Sequence, residues 1–375
     1  MLVVKILFWF SLAALVWTHV GYALATALAA RMRRRRVDAR EIEPSVSVVV
    51  AAHNESDVIE QRVRNLLDLD YPRELIEVVV ASDASTDGTD EVVERLAAED
   101  GRVRLVRCER GGKVAAQNRG VGESTGEIVA FSDANALWQR DALRKLVRSF
   151  ADPAVGYVTG RASYEAADGT NREGAYWRFE LWLRAQESRL GSVTAGNGPI
   201  YAVRRSDWVD VQPWCGHDLG LPYLMVQRGR RAVYDPDAVS TEKPSRDIED
   251  EYRRKVRMLR GAWVHVFRGM LRRVGPVYFV ELISHRLLRY ASGILHLVLL
   301  GSSIALVGEG WVYRVVLAAQ VIWLLLAGAG KLRLPIPGAG LAYYYFVVTW
   351  ATIAGLVRYV RFGPPLLWER IEGTR

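Results

Sequence analysis

From residue 2 to residue 30 the chain is almost wholly apolar, and Lys5 is its only formal charge. A run of that length is expected as a helix that crosses a bilayer with some tilt. A cleavable leader ending near Ala25-Thr26-Ala27-Leu28-Ala29-Ala30 is the rival reading. The length of the run, and a basic cluster that follows it, weigh against cleavage. That cluster, Arg31-Met32-Arg33-Arg34-Arg35-Arg36, is expected to stay on the cytoplasmic side, which leaves the N-terminus outside and the next domain in the cytoplasm. Apolar runs return near residues 294–307, 312–329 and 341–357. The first is short for a full crossing unless it begins near Tyr290. With one N-terminal and three C-terminal crossings, Lys331 and Arg333 fall on the cytoplasmic side while Arg358 and Arg361 fall outside, so the positive-inside rule is not satisfied everywhere.

The middle of the chain reads as soluble. Of the 375 residues 50% are hydrophobic, but the long apolar runs lie at the two ends. Net charge is +8, and much of the surplus sits beside those runs, at residues 31–36 and 253–260. That placement suits an anionic membrane surface, and no groove-reading motif accompanies it, so nucleic acid is not an expected partner. Cys108 and Cys215 fit neither a metal spacing nor a disulfide framework, as suits a reducing compartment.

After Pro44, short β-branched runs at residues 46–51, 76–81, 103–107 and 128–131 alternate with amphipathic stretches that end near residues 67 and 98. Strands alternating with helices predict a largely parallel α/β sheet, whose ligands bind beyond the carboxyl ends of the strands. Polar clusters stand at those ends. Ala52-His53-Asn54-Glu55 and Asp83 suit a nucleoside, with a helix start as the plainer use of Asn54. Asp87-Gly88-Thr89 reads as a turn and cap. Gly111-Gly112-Lys113 offers a flexible turn and a cation suited to a diphosphate. Asp133 and Asn135 supply two oxygen donors for one hard cation, Mg²⁺ or Mn²⁺, whose shell phosphate oxygens complete. Neither a P-loop nor a G-x-G-x-x-G fingerprint is present.

In this order, the segments at residues 46–55, 83–89, 112–118 and 132–135 resemble the family 2 glycosyltransferases over about residues 45–260. The resemblance implies a GT-A fold, an activated nucleotide sugar, a divalent metal and inversion of the anomeric centre. It matches Glu55 and Asp83 to nucleoside-binding positions, Asp133 with Asn135 to the metal-diphosphate motif, and Asp218 to the catalytic base. Many members carry a second Asp where this chain has Asn135. On the acceptor side, the aromatic stretch with Trp177 and Glu180 suits sugar rings. Gly196 and Asn197 look like the family's loop before an acceptor-side strand, and His217 stands where an acidic residue is common, so it is expected to pack or to tune Asp218. Processive synthases of the family carry Q-x-x-R-W where this chain has Arg254, Arg257 and Met258. Arg257 retains the means to pair with diphosphate, but the indole on which a growing chain stacks is missing.

The expected layout is a transmembrane helix (1–30), a basic linker (31–44), a cytoplasmic GT-A domain (45–260), interfacial helices (261–290), C-terminal transmembrane helices (291–360) and a tail (361–375). The expected protein is an integral membrane enzyme of a bacterial inner membrane or plasma membrane. It moves a sugar from a nucleotide-diphosphate donor to a lipid-linked or saccharide acceptor. A processive synthase that extrudes its product, a nucleotidyltransferase and a non-catalytic scaffold are the alternatives. Asp235 and Asp237 beside Pro236 read as a turn outside the site.

Overall fold

The computed structural model describes residues 1–164, 174–243 and 248–364. Part of the expected tail, beyond Pro364, therefore lies outside the described residues. In chain order, helix α1 (Leu2–Val16) continues through a π turn into α2 (Tyr22–Met32), and then β1 (Val46–Ala52) opens the sheet. It is followed by α3 (Ile59–Leu67), β2 (Ile76–Asp83), α4 (Thr89–Glu99), β3 (Val103–Cys108), α5 (Lys113–Glu123) and β4 (Ile128–Asp133). Next come β5 (Leu137–Trp138), α6 (Ala142–Arg148), β6 (Val155–Tyr164), α7 (Ala175–Leu190), β7 (Tyr201–Arg204), α8 (His217–Gln227) and β8 (Arg231–Glu242). Six helices follow: α9 (Ile248–Phe267), α10 (Pro276–Glu281), a short α11 (Leu288–Tyr290), α12 (Ser292–Ala305), α13 (Trp311–Lys331) and α14 (Ala339–Phe362).

The chain divides into two compact units. One comprises Thr26–Ser245 with Arg268–Phe279 and holds the sheet. Its strand order is β3-β2-β1-β4-β7-β6-β8-β5. The pairs β3-β2, β2-β1 and β1-β4 are parallel, and β4-β7 and β7-β6 are antiparallel. Helices cover both faces of the parallel half, and at its centre all seven residues of β1 are buried, while Arg104 and Arg107 of the outer strand β3 reach solvent. The chain leaves β1 toward β2 on one side and returns as β4 on the other, so the crevice beyond β1 and β4 is the topological switch point. The two motif aspartates end their strands: Asp83 is the last residue of β2 and Asp133 of β4. Register sets Asp133 beside Ala51 and Ser82 beside Ala52.

Asp235 and Asp237 do not form the expected turn. They lie within β8, where its pairing with β6 shifts register, and Arg148 bridges both, at 2.7 Å to Asp235 and 2.6 Å to Asp237. Two cross-chain ion pairs to one guanidinium hold an irregular strand segment that local turn chemistry alone does not reveal.

The other unit comprises Met1–Ala25, Arg246–Phe267 and Val280–Pro364, and it is helical. Leu2–Met32, Trp311–Lys331 and Ala339–Phe362 are each long and apolar enough to cross a membrane. The short run expected to start near Tyr290 is the second limb of a bent pair: Pro276–Tyr290 and Ser292–Ala305 meet at 66°. Ser292–Ala305 has only 14 residues, which is why it reads as less than one crossing by itself. The basic helix α9 groups with this unit, so the compact boundary falls before residue 260.

Candidate functional site

At the end of β2, Asp83 is fully buried. Its carboxylate accepts the backbone amides of Gly111 at 2.7 Å and Gly112 at 3.1 Å, and it pairs with Arg110. Gly112 has φ +86°, a left-handed conformation that a residue with a Cβ adopts only under strain. The turn therefore needs its glycine, and it delivers Lys113 as the first residue of α5. The Lys113 ammonium then pairs with Asp133 at the end of β4. Burial works against the charged ammonium, but Asp133's charge and hydrogen bond outweigh it and hold the Lys113 pKa above the usual lysine value. Asp83, the glycine turn, Lys113 and Asp133 thus form one continuous chain of contacts across three parallel strands.

The first strand's exit is tied to the same edge. The His53 ring, through Nδ1, bonds the carbonyl of Asp83 at 2.7 Å. Asn54 is not a helix cap. It sits at φ +55°, and its side-chain oxygen accepts the amide of Thr86 at 2.8 Å. Ala52 is buried in β1, and Glu55 is fully buried with its amide bonded to the Thr89 hydroxyl at 2.8 Å. Asp87 accepts the Thr89 amide at 3.1 Å, which is the turn-and-cap role expected of it.

The loop before β7 closes the other side. A Cβ on Gly198 would lie 3.4 Å from Asp133 Oδ2 and 3.8 Å from Lys113 Nζ, so this loop passes directly over the Lys113–Asp133 pair. A Cβ on Gly196 would lie 1.8 Å from the Tyr157 hydroxyl, a space no side chain can enter. Gly196 also donates its amide to the carbonyl of Asp218 at 2.7 Å. Asn197 is buried and engaged on three sides: its amide bonds Thr159 Oγ1 (2.9 Å), its Nδ2 the Gly160 carbonyl (2.6 Å), and its Oδ1 accepts from Arg184 (2.6 Å). It fixes the loop.

Asp218 stands in the first turn of α8. Burial pushes its pKa up and the neighbouring Asp133 charge adds to this, while Lys113 opposes them; the net result lies above the ordinary aspartate value. A carboxylate so placed is a stronger base than one in water. His217 beside it is buried, and burial together with the Lys113 charge pulls its pKa down to about 3. Its ring meets Phe131 edge-on at 5.3 Å, and its Nδ1 lies 2.9 Å from the Tyr201 hydroxyl, which accepts from Gln117 at 3.0 Å. A neutral packed imidazole fits the expected packing role.

Lys113, Asp133, Gly196, Asn197, His217 and Asp218 are thus brought to one place. Asn135 lies two residues beyond the end of β4, half-buried. Trp177 and Glu180 lie on α7. The Trp177 indole donates to the Ala162 carbonyl at 3.0 Å, and Glu180 is buried. Arg257 lies on α9, in the helical unit. Among the described residues no group of three His, Cys, Asp or Glu side chains could hold a metal by itself. The hard oxygen donors Asp133 and Asn135 therefore fit a divalent cation only together with oxygens from a bound ligand.

Several supporting residues carry no motif. Arg62, fully buried on α3, lies 5.0 Å over the Trp138 ring and donates to Asn65 at 2.5 Å. Burial lowers its pKa to about 9 and the field of Asp133 opposes the fall, so Asp133 has a second cation behind it. Arg110, Tyr157 and Arg184 are likewise invisible in sequence, because each acts on a partner far along the chain.

The glycosyl transferase family 2 sequence model matches residues 47–211. Over 194 residues the chain is 32% identical to a beta-monoglucosyldiacylglycerol synthase of Nostoc sp., covering 50% of this chain and 42% of that protein. It is 24% identical to a poly-beta-1,6-N-acetyl-D-glucosamine synthase of Staphylococcus aureus, over 60% of this chain and 56% of the relative. The chain thus spans less than half the length of the first of these relatives. Among solved structures it is similar to the mannosyltransferase PcManGT from Pyrobaculum calidifontis in complex with GDP-Man and Mn²⁺, with a TM-score of 0.71, 26% identity, and coverage of 94% of this chain and 99% of that one. The mixed sheet, the acidic ends of its parallel strands and these likenesses agree: residues 47–211 match the glycosyl transferase family 2, and the fold that carries them is GT-A.

Proposed function

We propose that the chain is a membrane-anchored, inverting glycosyltransferase that moves a sugar from a nucleotide-diphosphate sugar to a hydroxyl of a lipid-linked or saccharide acceptor. One observation carries the reading: the loop from Gly196 to Gly198 has Asp218 bonded at one end and the Lys113–Asp133 pair beneath the other. In this reading Asp218 is the base and the Lys113–Asp133 pair the cradle for a charged leaving group, at the two ends of one short loop. In the proposed step, Asp218 takes the proton of the acceptor hydroxyl as its oxygen bonds to the anomeric carbon. The bond from that carbon to the diphosphate breaks, and its electron pair departs with the nucleoside diphosphate. Lys113 receives the charge that develops on the phosphate. Asp133 and Asn135 would hold a Mg²⁺ or Mn²⁺ ion, which when bound neutralises diphosphate charge. At the strand ends, His53, Glu55 and Asp83 form the wall assigned to the nucleoside. Trp177, Glu180 and His217 are assigned to the acceptor side.

The Mn²⁺ and GDP-Man in the similar mannosyltransferase support the metal and the donor class, and the glycolipid and polysaccharide synthases support a membrane acceptor. The basic cluster after the first apolar helix supports a cytoplasmic site. A screen of nucleotide sugars against the full chain in lipid extract, read by mass spectrometry, tests the proposal. One sugar added to an acceptor is expected; long chains from a single acceptor would favour the processive alternative. Pyrophosphate release in place of nucleoside diphosphate would overturn the reaction class.

A further inference from the structure

Away from the strand ends, a cleft of about 360 Å³ lies between the end of α2 and α7. Ala27 and Ala30 supply an apolar side, and Arg31, Arg34 and Arg189 supply three guanidiniums. Trp182, 41% exposed, stands at its edge, and no carboxylate is among its lining residues. The walls are fixed to each other. The amide of Arg35 donates to the carbonyl of Arg189 at 2.8 Å. The buried Arg231 donates to the carbonyls of Arg35 (3.1 Å), Arg36 (3.1 Å), Ser188 (3.3 Å) and Gly191 (3.0 Å). One guanidinium thus ties the linker after α2 to the end of α7, and the three cleft arginines face a space whose width is set.

We infer that this cleft binds the phosphate of an anionic membrane glycerophospholipid. The helix that supplies Ala27, Ala30 and Arg31 is the end of the apolar span Leu2–Met32, so the cleft lies where a span of that length leaves the hydrocarbon. Guanidinium forks match phosphate oxygens in pairs, and three of them without a carboxylate select net negative charge. The apolar side and the Trp182 indole suit the glycerol and upper acyl carbons, as an aromatic ring does at the headgroup level. A soluble phosphate would gain nothing from that side. The cleft is distinct from the donor site, because α7 turns Arg184 and Glu187 toward Asn197 and Thr194, while Trp182 and Arg189 line the cleft.

The test uses the purified full chain in mixed micelles, with neither sugar donor nor acceptor, so it stands or falls apart from the proposed reaction. Native mass spectrometry would count bound dioleoylphosphatidylglycerol against dioleoylphosphatidylcholine at equal mole fraction. We expect one retained anionic lipid. The triple variant Arg31→Gln, Arg34→Gln, Arg189→Gln should lose about tenfold or more in that preference. The triple variant Arg33→Gln, Arg35→Gln, Arg36→Gln removes the same charge outside the cleft and should lose less than about threefold. Trp182→Ala, which changes no charge, should also weaken retention. Equal loss in the two triple variants would show diffuse attraction and overturn the site. Displacement of the lipid by millimolar glycerol phosphate would overturn the lipid assignment in favour of a soluble phosphate ligand.

Discussion

Replacing Gly196 by alanine is the most direct probe of how the site is held. The new Cβ would lie 1.8 Å from the Tyr157 hydroxyl oxygen, 2.9 Å from its Cζ and 3.2 Å from Thr159 Oγ1. Tyr157 is fully buried within β6, paired with Val203 and Ala232, so its ring has nowhere to retreat. The loop must move instead, by roughly 1.2 Å or more, since a Cβ is essentially never found closer than about 3.0 Å to such an atom. Overpacking of this kind costs about 1–3 kcal/mol, and a comparable misplacement of catalytic groups costs about a hundredfold in rate. The displaced segment carries the bond from Gly196 to the Asp218 carbonyl and the Gly198 contact with Asp133, so the expected loss falls on kcat, with nucleotide affinity changed less. Nucleoside diphosphate release under saturating donor measures it. Tyr157→Phe removes the clashing oxygen, and the double variant should recover about tenfold, since the contact at 2.9 Å remains tight. A Gly196→Ala enzyme with the wild-type rate, or a double variant no faster than the single, would refute the argument.

Asp218→Asn should lower transfer by at least about a thousandfold while leaving donor binding nearly intact, as titration of the nucleotide would report. The proposed base role needs Asp218 ionised and its pKa is raised, so the rate should fall as pH drops through a value above the ordinary aspartate 3.8; a limb at or below that value would count against the base assignment. The sign for stability is the reverse: a raised carboxyl pKa contributes stability when protonated, lost as pH rises through the folded-state value, so at neutral pH the Asn variant should unfold no earlier than wild type. Asp133→Ala should weaken donor binding by about ten- to a hundredfold and abolish its response to added Mg²⁺ or Mn²⁺, and an unchanged metal response would remove Asp133 from that role. Arg184→Met leaves the Asn197 oxygen without its charged donor and should cost about 1–3 kcal/mol in stability, with a fall in kcat that binding assays do not share.

What sequence makes legible here is what sits beside its own strand. The runs at residues 76–81 and 128–131 locate β2 and β4, and a carboxylate that ends each follows from the alternation of strand and helix. The aspartates, Lys113 and the glycines before β7 could be read because each is announced by its neighbours. The residues that hold them are not. Arg62 acts near Asp133, Arg110 on Asp83, Tyr157 on Gly196 and Arg184 on Asn197; in none of these does local composition mark the pair. Asn54 shows the same limit in reverse: it has the chemistry of a helix cap, yet its oxygen goes to Thr86, because β1 and β2 bring those two turns together. The first limb of the bent pair near Tyr290 escaped a hydropathy reading because Glu281, Arg286 and Arg289 interrupt its apolar run, which therefore shows only one limb clearly.

The packed row behind the charged groups explains why His217 serves the site without ionising. Gln117 donates to the Tyr201 oxygen, and that hydroxyl lies 2.9 Å from His217 Nδ1. Burial, and the Lys113 charge beside it, disfavour an imidazolium here, which is why the pKa falls to about 3. Phe131 stacks on Tyr201 at 4.7 Å and on Trp208 at 5.5 Å, and both rings meet His217. The result is a packed aromatic row in which the buried His217 imidazole stays neutral beside Asp218. In such surroundings charges interact more strongly than in water, so the Asp218 pKa is raised by its burial while the Lys113 pKa is held above the usual lysine value beside it. An acidic residue in place of His217 would add a third negative charge to this corner, and it would push the proton-accepting carboxylate further from ionisation.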